Sequence, residues 1–126
     1  MENNMIIGVG TDIIEISRVE KAVKRTSGLL EKIFTPEEIK SAGNGRRSES
    51  LAGYFAAKEA MGKALGTGIR GFSFKDIEVY KDSLGKPCIK VTGPAENICD
   101  SMGVRSIHLS ISHSRDNAMA FIVLEG

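Results

Sequence analysis

The longest predicted helix contains the segment Phe55-Ala56-Ala57-Lys58-Glu59-Ala60-Met61-Gly62-Lys63, in which one carboxylate, Glu59, falls among small and apolar side chains. At helical spacing, its neighbours are Leu51, Ala52, Phe55, Ala56 and Ala60. A carboxylate on such a face loses hydration, so it needs a cation, a metal ion or hydrogen-bond donors nearby. Glu59 therefore predicts a partner from another part of the chain.

Asp12 is the candidate partner. It lies in Gly8-Val9-Gly10-Thr11-Asp12, just past an apolar run from Met5 to Val9 that predicts a buried strand. Two acids from distant segments, with the other positions left to water and phosphate oxygens, are a common way to hold magnesium. Asp12 could equally be a helix cap with Glu15, and Glu59 could simply pair with Lys63 on a helix surface. From these residues alone, both interpretations stay open.

The bulk properties restrict the class of protein. With 126 residues, of which 41% are hydrophobic, the chain is predicted to form a single domain over residues 1–126. A net charge of +1 argues against the strong positive field of a nucleic-acid binder. No apolar run approaches the roughly 20 residues of a membrane span, and no secretory signal pattern is present. We therefore expect a cytoplasmic protein with no nucleic-acid or membrane partner.

The predicted elements give an α+β fold. Helices are expected over four segments: Ser17 to about Arg25, Thr35 to about Gly43, about Ser48 to Leu65, and Pro94 to Met102. Three of them begin at capping or proline signals, among them a Ser17–Glu20 capping box, and the one from about Ser48 follows a glycine-containing loop. Strands are expected as two hairpins: Ile77 to Lys81 with Cys88 to Val91, and Ile107 to Ser112 with Ala118 to Leu124. Because strands arrive as hairpins, we expect a mainly antiparallel sheet packed against one long and several short helices.

Several segments could bind phosphate. Arg46 and Arg47 lie in a glycine-containing loop, Gly66-Thr67-Gly68 follows the long helix, and His113 stands at the mouth of the last hairpin. Guanidinium forks, backbone amides and imidazole all donate hydrogen bonds to phosphate. Each segment also has a plainer interpretation, as solvated arginines, a left-handed helix cap or a turn histidine. None of them alone decides the function.

The first helix carries a basic face. Arg18, Lys21 and Arg25 can share one side of it at helical spacing, in a chain that is otherwise nearly neutral. Such a face favours an acidic protein helix or phosphate groups as a partner. A soluble surface partly neutralised by Glu20 is an equally simple interpretation.

Three segments recur together in a known family: Gly8-Val9-Gly10-Thr11-Asp12, Phe55-Ala56-Ala57-Lys58-Glu59-Ala60 with Lys63, and Ser110-Ile111-Ser112-His113-Ser114. Over essentially its whole length the chain resembles the bacterial holo-[acyl-carrier-protein] synthases, the small class of 4′-phosphopantetheinyl transferases. The resemblance implies that family's fold and its reaction in fatty acid biosynthesis. In that reaction the phosphopantetheine arm of coenzyme A passes to a serine of apo-acyl carrier protein, and adenosine 3′,5′-bisphosphate is released.

The resemblance also implies roles for individual residues. Asp12 and Glu59 would bind magnesium on the pyrophosphate, and Lys63 would reach the same phosphates. The nucleotide would be contacted by residues shared among three segments: Arg46, then Gly66, Thr67 and Gly68, then His113 and Ser114. The proton of the carrier serine would go to Glu59 through a metal-bound water, with His113 as the second candidate.

Partners follow from the same resemblance. The acidic acyl carrier protein would bind the first helix and the segment after it through Arg18, Ala22, Arg25 and Leu29. The chain would form a homotrimer whose active sites are shared between neighbouring subunits. Some relatives differ at Ala22 and Gly28 and carry a basic residue where this chain has Tyr54. The rival hypothesis is a noncatalytic coenzyme A or nucleotide-binding module, which would not need both acids.

Overall fold

The structure, a computed structural model, describes residues 4–126. The elements follow one another in this order: β1 Ile6–Glu15, α1 Ile16–Arg25, α2 Leu29–Ile33, α3 Pro36–Ser41, α4 Ser48–Leu65, β2 Ile77–Lys81, β3 Pro87–Val91, α5 Gly93–Met102, β4 Ser106–His113 and β5 Asn117–Glu125. A short 3-10 turn, Phe74–Asp76, precedes β2. The α+β class is confirmed. Among these residues no helix has both the length and the apolar character needed to cross a membrane.

The strands form two antiparallel sheets. One is three-stranded in the order β1-β5-β4, and the other is the β2-β3 hairpin. In the larger sheet Gly10 pairs with Ile122 and Asp12 pairs with Ala120. Alternate β5 residues are fully buried: Ala118, Ala120, Ile122 and Leu124. Since strand side chains alternate between faces, these four residues mark the face that is covered by α4.

The opposite face of the larger sheet is apolar and uncovered. We call it the open sheet face, and it carries Val9 and Ile13 of β1 with Met119 and Phe121 of β5. Ile13 is 65% exposed and Phe121 is 43% exposed. Four large apolar side chains on adjacent strands form a contiguous patch of the kind that marks an interaction surface.

Helix α4 is the centre of the molecule. It begins at Ser48 and ends at Leu65, as predicted, because Gly66 adopts a left-handed cap with φ 81°. Between Leu51 and Leu65 every residue is buried except Phe55, Glu59 and Lys63. These three are spaced by four residues, so they form one line along the helix, which we call the α4 stripe.

Lys58, beside Glu59, lies wholly inside the protein. Its ammonium pairs with Glu38 Oε1 at 2.9 Å and donates to the carbonyl oxygens of Phe74 and Ile77. Glu38 also accepts from the backbone N–H of Val79 at 2.7 Å. Burial lowers the pKa of Lys58, and the charge of Glu38 opposes that shift. The pair therefore ties α3, α4 and β2 together.

Several expected boundaries are corrected. The first strand does not stop at Val9 but continues to Glu15, so Asp12 lies within a strand and is not a helix cap. The Ser17–Glu20 capping box is wrong, because α1 begins at Ile16 and Glu20 instead accepts from Ser48 Oγ at 3.0 Å.

One helix was missed, and one helix start was predicted correctly. Helix α2 was not predicted, and it follows Gly28, whose φ of 83° separates it from α1. The capping signal at Thr35-Pro36 is confirmed, since Thr35 and Glu38 form a full capping box. The two predicted hairpins are also present: the first strand has the predicted bounds, and the other three are extended by one residue at one or both ends.

Candidate active site

Two glycines bring β1 against α4. A Cβ built on Gly10 would lie 2.0 Å from the Ala60 carbonyl oxygen, and one on Gly8 would lie 2.1 Å from the Ala64 carbonyl oxygen. No side chain can occupy such a space, so glycine is required here for close approach of the two backbones. The approach places Asp12, two residues after Gly10, beside the last turns of α4.

Asp12 and Lys63 form the first contact of the site. The Lys63 ammonium donates to Asp12 Oδ1 at 3.0 Å and to the Thr11 carbonyl oxygen at 3.0 Å. The Asp12 side chain is only 18% exposed, whereas that of Lys63 is 54% exposed. The acid is therefore held by the sheet, while the lysine extends over it from the rim.

Glu59 lies in the same environment, where burial and the charges of Asp12 and Lys63 act on its carboxyl group. Partial burial raises the pKa of Glu59, the negative charge of Asp12 raises it further, and Lys63 lowers it. One ammonium thus faces two carboxylates, which leaves an excess of negative charge at a half-buried place. Carboxylate oxygens in this arrangement suit a hard divalent cation such as magnesium.

The set of donors also limits how a metal could be held. Residues 4–126 contain no group of three or more His, Cys, Asp or Glu side chains that could together bind a metal ion. Two carboxylates would have to be completed by water and by oxygens of a substrate, which is usual for magnesium at phosphates. The site fits magnesium in this form and does not fit a closed structural metal site.

His113 lies near the other end of α4. Its Nε2 is 2.9 Å from the Glu49 carbonyl oxygen and would lie 2.9 Å from a Cβ on Gly53. Because a carbonyl oxygen only accepts, Nε2 carries a proton, and Nδ1 is the accepting atom of the neutral ring. Gly53 precedes Glu59 by six residues, about 9 Å along a helix axis. His113 and the two acids therefore occupy separate positions along α4 in one chain.

A groove opens beside His113. It is lined by Tyr54 and Lys81 together with Ser50, Pro87 and Ile111. The Tyr54 hydroxyl and Ser41 Oγ are 2.7 Å apart and hydrogen bonded, which fixes the tyrosine ring. Lys81, at the end of β2, is the cation that this groove offers, although the sequence interpretation did not single it out.

The remaining nucleotide candidates each have a local role. The backbone N–H groups of Gly66, Thr67 and Gly68 donate to carbonyl oxygens of the last turn of α4. Ser114 closes the β4–β5 turn, where its hydroxyl accepts from the Asn117 N–H at 3.1 Å. Arg46 is exposed and lines a groove shared with α1 rather than the Asp12 region. Phosphate binding by these residues stays a prediction.

Three of the four expected carrier-protein residues line one groove. Arg18, Ala22 and Leu29 line an apolar groove together with Phe55 of the α4 stripe. Arg25 does not line this groove; it is exposed at the end of α1, three residues and less than one helical turn beyond Ala22. This groove and the acids therefore meet along α4, since Phe55, Glu59 and Lys63 are successive members of the stripe.

Three contributions were not found from the sequence. Phe55 was taken only as an apolar neighbour of Glu59, Lys58 was given no role, and the Gly8-x-Gly10 spacing was used only as a motif. The spacing did carry a signal, because glycines at alternate positions of a strand leave one face without side chains. Nothing in the local sequence distinguishes a buried Lys58 from an exposed one.

Comparison with known proteins shows the family of this chain. Residues 8–122 match the family model of the 4′-phosphopantetheinyl transferase superfamily. The chain is 50% identical over 122 residues to the holo-[acyl-carrier-protein] synthase of Clostridium novyi, covering 96% of this chain and 88% of that protein. It is similar in structure to the holo-[acyl-carrier-protein] synthase of Neisseria meningitidis, with TM-score 0.88, 38% identity, and coverage of 97% of this chain and 100% of the other.

A further similar structure was solved with a ligand. The holo-[acyl-carrier-protein] synthase of Helicobacter pylori, in complex with coenzyme A, has a TM-score of 0.82 and 38% identity, over 92% of this chain and 98% of that one. Matches of this length and identity extend over both the Asp12 strand and the Glu59 helix. The chain belongs to the holo-[acyl-carrier-protein] synthases of the 4′-phosphopantetheinyl transferase superfamily.

Proposed function

We propose that this chain transfers the 4′-phosphopantetheine group of coenzyme A to a serine of apo-acyl carrier protein, as a step of fatty acid biosynthesis. The products are holo-acyl carrier protein and adenosine 3′,5′-bisphosphate. The α4 stripe carries this proposal, because it joins the α1 groove at Phe55 to the acid site at Glu59 and Lys63. A carrier protein seated in the groove would have its serine close to the phosphates.

The metal site consists of Asp12 and Glu59, with water and pyrophosphate oxygens as the remaining ligands. When bound, magnesium supplies positive charge that neutralises the pyrophosphate oxygens. The excess negative charge at the two carboxylates supports this assignment. Lys63, whose ammonium lies 3.0 Å from Asp12 Oδ1, donates to the same phosphates from the rim of the site.

The transfer forms one oxygen–phosphorus bond and breaks another. The serine hydroxyl oxygen attacks the phosphorus that bears the pantetheine arm, and the bond from that phosphorus to the bridging oxygen breaks. The bridging oxygen leaves with the adenosine phosphate, and the serine proton passes to a base. Glu59, through a water molecule, is the first candidate, because its carboxylate lies at the acid site where the pyrophosphate would bind. His113, through Nδ1, is the second candidate.

The assembly is a homotrimer in which neighbouring chains share each site. Two observations support this. The open sheet face presents Val9, Ile13, Met119 and Phe121 to solvent, and contiguous apolar patches of this kind favour association. In addition, His113 and Glu59 are separated along α4 within one chain, so a neighbouring chain would be needed to bring them into one site. The nucleotide would then lie between the Glu59 end of one α4 and the His113 groove of the next.

Intact-mass spectrometry tests the reaction. Apo-acyl carrier protein incubated with this protein, coenzyme A and magnesium should gain roughly 340 Da, the mass of the phosphopantetheine arm. A chelator, Asp12→Ala and Glu59→Ala should each abolish the gain, whereas Asp100→Ala, an exposed acid on α5, should not. If folded protein binds coenzyme A but leaves carrier proteins unmodified, the hypothesis of a noncatalytic binding module replaces that of a transferase.

A cytoplasmic location stays a prediction, which cell fractionation would test.

A further inference from the structure

We propose that Lys63 couples the binding of the divalent cation to the binding of coenzyme A, by competing with the cation for Asp12 until a pyrophosphate draws the ammonium away. This inference rests on the proposed function, since it assumes that Asp12 is a metal ligand. It goes further, because it assigns to Lys63 an effect on metal affinity that is separate from its contact with phosphate.

The competition follows from where the ammonium lies. Lys63 Nζ is 3.0 Å from Asp12 Oδ1 and 3.0 Å from the Thr11 carbonyl oxygen, so it occupies one oxygen of the carboxylate. A cation bound to the same oxygen would meet a second positive charge at hydrogen-bond range. Two cations at one carboxylate oxygen repel each other, and the repulsion is larger near a protein than in bulk water.

The structure also indicates which partner would move. Asp12 is fixed within β1 by its pairing with Ala120, and its side chain is 18% exposed. The Lys63 side chain is 54% exposed and stands on a flexible four-carbon stem. The lysine therefore leaves and the acid stays. Pyrophosphate oxygens offer the ammonium a stronger partner than a single carboxylate that already faces a divalent cation.

Linkage then makes the effect reciprocal. If coenzyme A removes Lys63 from Asp12, it raises the affinity for the cation, and the cation must raise the affinity for coenzyme A by the same factor. A factor of about 5 to 50 is expected, within the usual range for coupled sites. Coenzyme A and the metal ion would then bind cooperatively, and Asp12 with Glu59 would bind the metal ion only weakly in the absence of coenzyme A.

Manganese is the probe for the test, because free Mn²⁺ gives a strong electron paramagnetic resonance signal that is lost on binding. The dissociation constant for Mn²⁺ is measured without and with saturating coenzyme A, for the wild type and for Lys63→Met. Methionine keeps the length of the side chain and removes its charge. Without coenzyme A, Lys63→Met should bind Mn²⁺ about 5 to 50 times more tightly than the wild type. With coenzyme A, the two proteins should bind it about equally.

Two results would overturn the proposal. One is an unchanged Mn²⁺ affinity of Lys63→Met without coenzyme A. The other is an equal increase with and without coenzyme A, which would reflect only the loss of a nearby charge. Lys90→Met, at an exposed position on β3, is the matched control and should leave both constants unchanged.

The variant Asp12→Asn distinguishes a failure of the proposed coupling from a failure of the proposed metal site. If Asp12→Asn keeps the wild-type Mn²⁺ affinity with coenzyme A bound, Asp12 is not a metal ligand and the underlying site is wrong. If Asp12→Asn loses Mn²⁺ binding while Lys63→Met behaves as the wild type, the metal site stands and only the coupling is wrong. Circular dichroism of each variant confirms that it is folded.

Discussion

Gly10 brings β1 so close to α4 that a Cβ at this position would lie 2.0 Å from the Ala60 carbonyl oxygen. Ala60 is the neighbour of Glu59, and Asp12 follows Gly10 by two residues. The separation of the two acids is therefore determined by backbone contact between a strand and a helix. A site positioned in this way does not depend on the rotamers of intervening side chains.

Gly10→Ala should therefore damage both stability and metal binding. The added methyl group meets backbone, which cannot move aside, so the free energy of unfolding should fall by about 2 to 4 kcal/mol. Urea unfolding measures the loss of stability, and Mn²⁺ titration measures the loss of metal affinity that follows when the acids are displaced. Gly85→Ala is the control: it strains a φ of 85° but meets nothing within 4 Å, so it should cost about 1 kcal/mol and spare the metal site. Wild-type stability for Gly10→Ala would contradict the close contact.

Glu59→Gln should abolish transfer and yet stabilise the metal-free protein. The folded-state pKa of Glu59 lies above its ordinary value of 4.5. The unfolded chain therefore loses this proton at a lower pH than the folded protein. As a result, the free energy of unfolding falls as pH rises from about 4.5 to the folded-state pKa. Below about pH 4.5 the carboxyl is protonated in both states, and the difference between variants should vanish. Because the group is half exposed, the gain at neutral pH should stay below about 1 kcal/mol. Thermal unfolding in EDTA across pH measures it, and a loss of stability at neutral pH would refute it.

Lys58→Met should be strongly destabilising, and a second change should recover part of the loss. Removing the ammonium leaves the Glu38 carboxylate buried without its cation, which typically costs about 3 to 5 kcal/mol. Lys58→Met with Glu38→Gln keeps an oxygen acceptor for the Val79 N–H but removes the charge, so it should be more stable than Lys58→Met alone. Lys40→Met, at an exposed lysine of α3, is the control. Simple additivity of the two changes in urea unfolding would argue against a coupled pair.

Arg25→Glu should weaken carrier-protein use without affecting coenzyme A. Reversing an exposed charge on α1 mainly slows a steered encounter, so the KM for carrier protein should rise about 5- to 20-fold, and less so at high salt. The KM for coenzyme A should not change. Lys90→Glu, on β3, is the control of equal charge change. An equal rise of KM in both variants would mean that net charge, and not the α1 surface, governs the encounter.

Phe121→Lys should disrupt assembly. A lysine in the middle of the open sheet face introduces charge into an apolar interface, so sedimentation should show a monomer in place of a trimer. If sites are shared, transfer should fall by about 100-fold, since the two halves are no longer held together. Leu84→Lys replaces another exposed apolar residue, in the β2–β3 turn, and should leave the trimer intact. A wild type that sediments as a monomer would contradict the proposed assembly.

The two acids were easier to single out from the sequence than the elements around them. Asp12 and Glu59 stood out because acids beside apolar runs need a partner. In the structure Asp12 pairs with the Lys63 ammonium, and the charges of Asp12 and Lys63 both act on Glu59. Their function as a metal site stays a prediction. The strand that carries Asp12 was predicted too short, because Thr11 and Asp12 interrupt its apolar pattern although pairing with β5 continues past them. The residue preferences of one segment do not predict how far it pairs with a strand from the other end of the chain.

The burial of α4 from Leu51 to Leu65, everywhere except along the α4 stripe, also could not be predicted from local sequence pattern. A helix surrounded by a sheet on one face and by α1, α3 and β2 elsewhere has no simple polar face, and Lys58 is a polar residue placed inside by a partner from α3. The five-residue helix after Gly28 is too short to be predicted from its own sequence, because it is held by packing near the α1 groove.

Neighbouring positions 58 and 59 serve different parts of the molecule. Lys58 points into the Glu38 pair, and Glu59 points to the acid site, because successive helical residues differ by about 100° around the axis. One residue inserted or deleted between Gly53 and Lys63 would turn everything beyond it by that angle and exchange these surroundings. Natural variation in chain length should therefore avoid this helix completely and concentrate in the connections at residues 43–47 and 82–86.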